Sequence, residues 1–332
     1  MKSIFIGNDT IFNVYTKDIM QQLSSELDMD TNLIITQENI NENKAIAAQA
    51  EFAFSTWGMP TFTEAQIEEF FPNLKAVFYA AGSVQGFARP FINRGIKVFS
   101  AWHANGIPVA EYTVAQIILA NKGFFQAARL YNDKNHKQAS QFCSSFPGNY
   151  GAKVGIIGAG VIGRAVIQML KTYNLKILVF DPFLSEEAAI ALGVTKCSLE
   201  ELFSQCQTIS NHLANNPQTV GMLNYELFSL MKNNATFINT GRGAQVVEAD
   251  LAKILSERPN TTALLDVTIE EPLPKEHPFY SLPNLLLTPH IAGSMNDEVG
   301  RMAQYMADEL VRLLYDKPTL FEVTAEMLKT MA

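Results

Sequence analysis

Charge is scarce in this chain of 332 residues: Asp, Glu, Lys and Arg make up 17%, against about a quarter in an ordinary soluble domain. What charge there is leans acidic, with 33 Asp and Glu against 25 Lys and Arg and a net of −8. Nucleic acids and anionic membrane surfaces both need a cationic face, so neither is expected as a partner. No apolar run approaches the ~18 residues of a membrane span. The opening Met-Lys-Ser-Ile-Phe-Ile-Gly-Asn-Asp lacks the longer apolar stretch of a secretory signal, and a cytoplasmic location is expected. Only three cysteines occur, Cys143, Cys197 and Cys206. Their number is odd and their spacing suits no metal, so they read as reduced thiols and no metal site is expected. Internal repeats and low-complexity runs are also missing.

Apolar residues are plentiful instead, at 48%, and this length is comfortable for two domains. Short β-rich runs alternate with amphipathic segments almost throughout, the pattern of βαβ units and parallel sheets. Strands are expected at 3–6, 33–35, 52–55, 76–79 and 97–99, with helices near 18–27 and 64–71. A second series is expected at 154–157, 176–180, 207–211, 236–239, 263–267 and 285–287. The fold class is therefore α/β, with two doubly wound parallel-sheet domains. Ser198-Leu-Glu-Glu201 reads as a capping box, and Ser185 before Glu186 and Glu187 as another helix start.

Between the two series, residues 108–129 open with Pro108 at an expected first helical position. Val109, Ala110, Val114, Ile117, Ile118, Leu119, Phe124 and Phe125 make this segment apolar on nearly every side. Such a helix has to be covered, and a homodimer is the commonest way to do so. A last helix is expected near 296–315. Trp102 and His103 stand where the two series meet, either at a cleft mouth or as plain packing. His136 and His277 read as ordinary surface histidines.

Val154-Gly-Ile-Ile-Gly158-Ala-Gly160-Val161-Ile162-Gly163 matches G-x-G-x-x-G between a strand and a helix. Gly158 suits a tight turn, Gly160 the close approach of a pyrophosphate, and Gly163 tight helix packing, with the anion at the positive helix end. Asp181 follows the next expected strand, 18 residues after Gly163. A carboxylate there accepts from both hydroxyls of an adenosine ribose and repels a 2′-phosphate, which points to NAD.

Three further segments each set one reactive side chain at the end of an apolar run. They are Thr240-Gly-Arg242-Gly, Asp266-Val-Thr-Ile-Glu-Glu271-Pro and Thr288-Pro-His290-Ile-Ala-Gly293. A guanidinium, a carboxylate and an imidazole together suit proton and hydride chemistry on a small keto acid: Arg forks onto a carboxylate while His exchanges the proton.

With these residues, the chain resembles the D-isomer-specific 2-hydroxyacid dehydrogenase family, most sharply from Gly151 to Gly293. Ser210-Asn-His212-Leu-Ala214-Asn-Asn-Pro217-Gln-Thr219 is similar to the family's stretch beside the cofactor, with Ala214 where Pro is usual. Asn239-Thr240-Gly241-Arg242-Gly is similar to its Asn-Thr-Ala/Ser-Arg-Gly, and Val109-Ala-Glu-Tyr also fits. The resemblance implies that Arg242 binds the substrate carboxylate and polarises its carbonyl, and that His290 exchanges the proton. Glu271 would hold the imidazole and favour its protonated form. Glu271 rather than Glu270 takes this role because it directly precedes Pro272. The resemblance also assigns cofactor contacts to Gly158, Gly160, Val161, Ile162, Gly163, Asp181, His212, Thr219, Thr240 and Asp266, the last at the nicotinamide end.

It further implies a Rossmann cofactor domain, 104–292, inserted in a flavodoxin-like substrate domain, 1–103 and 293–332. In the latter, Ala81, Gly82 and Ser83 would offer backbone N–H groups to the substrate. The expected activity interconverts a small D-2-hydroxy acid and its 2-keto acid, the only expected partners being that small molecule and a second copy. An NADH-sensing corepressor-like protein and a phosphite-type dehydrogenase are the alternatives. Formate enzymes of the family carry Gln where Glu271 stands.

Overall fold

The computed structural model describes residues 1–332 except 133, 330 and 332. Contacts divide the chain into two compact units, Met1–Gly106 with Ser294–Ala332, and Ile107–Gly293.

In the first unit the strands are β1 (Ser3–Ile6), β2 (Ile34–Ile35), β3 (Phe52–Ser55), β4 (Ala76–Tyr79) and β5 (Lys97–Ser100). The second unit has β6 (Tyr150–Ile157), β7 (Asn174–Phe180), β8 (Thr195–Lys196), β9 (Thr208–Asn211), β10 (Thr236–Asn239), β11 (Thr262–Leu265) and β12 (Leu285–Leu287). The chain then returns to the first unit for β13 (Glu322–Val323).

The first sheet runs β13-β5-β4-β3-β1-β2, parallel except for β13, which pairs antiparallel with β5. The second runs β12-β11-β10-β9-β6-β7-β8, parallel throughout. Each order reverses once, at β1/β3 and at β6/β9, as in doubly wound folds. The inner strands β1, β3 and β4 of the first sheet and β9, β10 and β11 of the second are fully buried, as strands covered on two faces are. Phe5, Phe54, Phe78 and Phe99 come from four adjacent strands in register and form one aromatic ladder. Phe54–Phe78 and Phe78–Phe99 stack at 5.1 and 4.9 Å. The helix Val299–Leu314 packs on that face through Met302, Met306 and Leu310. Its fully buried Glu309 accepts from the N–H groups of Leu320 and Phe321 (2.9 and 3.0 Å), which leads the chain into β13. The two-residue strands β8 and β13 were not expected, because two residues carry no periodicity.

The expected single helix over 108–129 is two helices, Trp102–Ala120 and Phe124–Asn132. Pro108 lies inside the first, not at its start. Asn121 and Gly123 make the break. Asn121 spends its side chain on Thr208 and Asn149 (2.7 and 3.0 Å), and Gly123 takes φ +69° where a Cβ would strike Phe146. The segment is not covered on every side either. Val109, Ala110, Thr113, Ile117 and Ala120 are buried, while Leu119 and Phe124 are 39% and 49% exposed.

The cysteines are free. Burial pushes the thiols of Cys197 and Cys206 up to about 11 and about 12, leaving them unreactive. Among the described residues no helix is long and apolar enough to cross a membrane, and no cluster suits a metal ion.

Candidate active site

Every chemically marked residue of the second unit follows a strand's carboxyl end in one sheet. The loop from Gly158 follows β6, Asp181 follows β7, and His212 follows β9. Thr240 and Arg242 follow β10, Asp266 follows β11, and His290 lies three residues beyond β12. Open α/β sheets bind ligands along this edge.

Gly158 turns at φ +91°, and a Cβ there would press on the His212 carbonyl at 2.9 Å. At Gly163 a Cβ would collide with the Gly158 carbonyl, so its tight packing is against the loop itself. Gly160 differs: a Cβ there would meet nothing within 4 Å, which leaves room for a ligand to approach the backbone. Gly160 begins the helix Val161–Leu170, which no side chain caps, so its leading N–H groups face an incoming anion unopposed. Val161 is 37% exposed at that end, while Ile162 packs onto the core. Asp181 accepts from the N–H groups of Ala159 (2.7 Å) and Phe183 (2.8 Å), fixing its carboxylate against the glycine loop. These residues fit a dinucleotide.

His290 and Glu271 meet at 2.7 Å between Nδ1 and Oε2. The carboxylate can only accept, so Nδ1 carries the hydrogen and Nε2 is left for a substrate. His290 sits at φ +55°, a region that disfavours a residue with a Cβ. Asp266 holds it there. Its carboxylate accepts from Thr288 Oγ1 (2.6 Å) and from the N–H groups of Ile291 (2.8 Å) and Ala292 (2.9 Å). Its carbonyl accepts from the His290 N–H. Asp266 thus shapes the loop that presents the imidazole, an effect no strand-end motif foretold. Tyr112 completes the cluster from the long helix, its hydroxyl 3.1 Å from Thr288 Oγ1.

Arg242 is half-buried, and burial lowers its guanidinium from the usual value while the nearby Glu271 charge acts the other way. Nη1 donates to the Gly241 carbonyl at 2.8 Å. Among the described residues no carboxylate lies within ion-pair distance of it, so a half-buried cation faces the ligand edge without a counterion. Its backbone is caged by buried amides that sequence reasoning missed. Asn239 accepts from Gly241 N–H and donates to the Arg242 carbonyl, while Gln245 accepts from Arg242 N–H. Asn211 donates to Asn239 at 3.0 Å. Gly241 fits because a Cβ would stand 3.0 Å from Gln245 Oε1.

His212, Thr219 and Thr240 are spent internally. His212 places Nε2 3.0 Å from Ser210 Oγ and Nδ1 3.5 Å from Thr240 Oγ1, which also contacts Thr113. Thr219 Oγ1 donates within its own loop, to the carbonyls of Ala214 and Asn216. Burial lowers the His212 pKa from 6.5 to about 3, so the folded chain keeps it neutral while an unfolded chain protonates it. Stability from this group is complete above pH about 6.5 and is lost as pH falls toward 3, because only the unfolded state gains the proton. Thermal melts of the parent should therefore weaken from pH 7 to pH 5, by up to about 1.4 kcal/mol per unit. His212→Gln should flatten that slope; equal acid sensitivity in the two proteins would refute the assignment.

In the first unit, Ser100 Oγ lies 2.9 and 2.7 Å from the carbonyls of Ala81 and Gly82 and braces their turn. The Ala81 N–H is bonded to the Tyr79 carbonyl and is not free for a ligand, contrary to expectation. Gly82 and the exposed Ser83 remain as donors. Asn105, which the sequence did not single out, accepts from Ser294 N–H at 3.0 Å. Its Nδ2 then lies 3.4 Å from where a Gly82 Cβ would stand. Trp102 and His103 both pack on Phe321.

Residues 114–292 match the family model described as D-isomer specific 2-hydroxyacid dehydrogenase, NAD binding domain. The chain belongs to the D-isomer specific 2-hydroxyacid dehydrogenase family. A glyoxylate reductase of Korarchaeum cryptofilum is 30% identical over 250 residues, 75% of this chain and 75% of that one. A D-3-phosphoglycerate dehydrogenase of Archaeoglobus fulgidus is 28% identical over 261 residues, 78% of this chain and 49% of that one. The chain spans about half the length of the phosphoglycerate dehydrogenases it matches. In fold it is similar to a phosphoglycerate oxidoreductase from Rhizobium etli, with a TM-score of 0.80 at 22% identity, over 98% of both chains. The matched domain of the family is NAD-binding, so NAD is the cofactor of the unit that contains residues 114–292.

Proposed function

We propose that this protein interconverts a small D-2-hydroxy acid and its 2-keto acid. The observation that carries the reading is the His290–Glu271 pair, 2.7 Å apart, on the same sheet edge as the unpaired Arg242 and the NAD loop. Bound NADH supplies the hydride. Arg242 forks onto the substrate carboxylate and polarises the carbonyl. His290 Nε2–H gives its proton to the carbonyl oxygen as that oxygen gains charge, and takes it back in oxidation. Glu271 holds the ring in place. The unit formed by Met1–Gly106 and Ser294–Ala332 is the substrate-binding domain in this reading, with the Gly82 and Ser83 N–H groups and the Asn105 amide as its anion donors.

The deciding experiment is NADH consumption against a panel of 2-keto acids, from glyoxylate upward in size. Absence of turnover with every member, despite NADH binding, would favour a sensor over an enzyme.

Asp181 opposes a 2′-phosphate with like charge. NADH should exceed NADPH in kcat/KM by at least about 10-fold, equal to about 1.4 kcal/mol of repulsion at that contact. An NADPH preference would overturn this.

The protein is expected to be a homodimer. Leu119, Phe124 and Tyr131 lie on consecutive helices with 39%, 49% and 57% of their surface open, exposed apolar side chains that a twofold copy would cover. Light scattering at micromolar concentration should give twice the chain mass, and Phe124→Arg should shift it toward one. A monomeric parent would remove the proposal.

A further inference from the structure

We propose that Glu248, steadied by His277, is a positioning residue that sets the Glu271 carboxylate, which in turn holds the His290 ring. The inference rests on the dehydrogenase reading and deepens it.

Glu248 is the first residue of the helix Glu248–Glu257. An acid there would ordinarily sit in solvent, favoured by the helix dipole. Instead its side chain is only 11% exposed and both oxygens are engaged away from its own helix. Oε1 accepts from the Ile269 N–H at 2.8 Å, and Oε2 lies 3.3 Å from His277 Nε2.

His277 read from sequence as an ordinary surface histidine, but its side chain is 20% exposed and both ring nitrogens have partners. Nδ1 accepts from the Phe279 N–H at 3.3 Å, capping the short helix Pro278–Ser281. A nitrogen that accepts carries no hydrogen, so in the neutral ring the hydrogen is on Nε2 and points to Glu248. Phe279 is buried and anchors that end of the segment in the core.

The contacts then run in one direction, toward the reaction. Glu248 fixes the Ile269 N–H; next to it, the Thr268 N–H donates to Glu271 Oε1 at 3.2 Å, and Glu271 Oε2 meets His290. Thr268 Oγ1 closes the turn onto the Glu270 carbonyl at 2.7 Å. Gly243 allows the turn to lie against the strand end that carries Arg242, since a Cβ there would collide with the Thr268 carbonyl carbon and oxygen. The Glu271 side chain is 40% exposed, and its carboxylate bonds to the Thr268 N–H and to His290. Its placement therefore depends on residues 268 and 269, and theirs on Glu248.

Glu248→Ala removes the acceptor for both the Ile269 N–H and the His277 ring. We expect kcat to fall roughly 10- to 100-fold, the usual cost of misplacing a reacting group by about an ångström. The NADH KM should stay within about twofold, because Asp181 and the glycine loop do not touch this segment. Glu248→Gln keeps a carbonyl oxygen for Ile269 and should recover most of the loss. A second readout needs no turnover: the imidazole ¹⁵N resonances of His290. In Glu248→Ala they should move toward those of Glu271→Gln, whereas in Glu248→Gln they should stay near the parent.

Unmoved His290 resonances in Glu248→Ala overturn the proposal, as does a kcat within about twofold of the parent. An equal fall in both Glu248 variants, with a raised NADH KM and a lowered Tm, would mark general destabilisation and also overturn it. If the parent turns over no 2-keto acid, the dehydrogenase reading fails, and the resonance comparison still decides the positioning claim.

Discussion

Replacing His290 with alanine should lower kcat by about 100- to 10,000-fold, the range over which a positioned general acid–base group contributes. The imidazole is the group whose free Nε2 can reach a reacting oxygen, since Nδ1 is committed to Glu271 at 2.7 Å. NADH binding should survive, because His290 follows β12 while the glycine loop and Asp181 follow β6 and β7. Steady-state kinetics with the best acid of the panel, alongside NADH titration by fluorescence, separates the two effects. Wild-type-like turnover in His290→Ala would remove the mechanism. The variant should also fold normally, and for a definite reason. His290 holds φ +55°, which alanine also has to adopt, and the bonds from Asp266 to the following two N–H groups remain to enforce it. His290→Gly relaxes the backbone and would separate a loop defect from loss of the imidazole: both variants should be equally inactive if the ring is what matters.

Arg242→Ala should damage KM and kcat together, and kcat/KM by about 2–5 kcal/mol, or roughly 30- to 5,000-fold, as when one partner of a buried charge pair is truncated. The guanidinium is half-buried without a counterion, and burial already lowers its pKa. A bound carboxylate therefore relieves an existing cost as well as adding two parallel hydrogen bonds. Arg242→Lys restores the charge but not the fork, so it should rescue only a small part. A change confined to KM, with kcat intact, would show that Arg242 binds substrate without polarising the carbonyl. A full rescue by Lys would deny the bidentate contact altogether.

Much of this site was legible because reactive side chains at the ends of parallel strands leave a local signature. A run such as Ala263–Leu265 must be apolar to be buried on both faces, and the first polar residue after it, Asp266, marks the ligand edge. The same reasoning located Thr240, Arg242 and His290, and the spacing from Gly163 to Asp181 reflects one helix and one strand. The residues that hold these groups in place left no such mark. Asn211 and Gln245 are ordinary amides in sequence, and their partners lie 28 and 34 positions apart. His277 looked exposed because nothing near it in the chain reveals Glu248. Thr219 and His212 sit in a family-like stretch that points to the cofactor, and in the fold their side-chain polar atoms bond within the protein.

The chain by itself determined the α/β class, the parallel strand series, the glycine loop and the identities of the chemically capable side chains, because these follow from periodicity and from residue chemistry. Tertiary structure alone decided where the long apolar segment breaks, since Asn121 ends it through bonds to Thr208 and Asn149. It alone decided that His290 stands in a left-handed conformation, since the Asp266 carboxylate enforcing it arrives from another strand. Periodicity reports which face of an element is buried; it carries no record of which distant donor meets which acceptor, and the geometry of this site is made of those meetings.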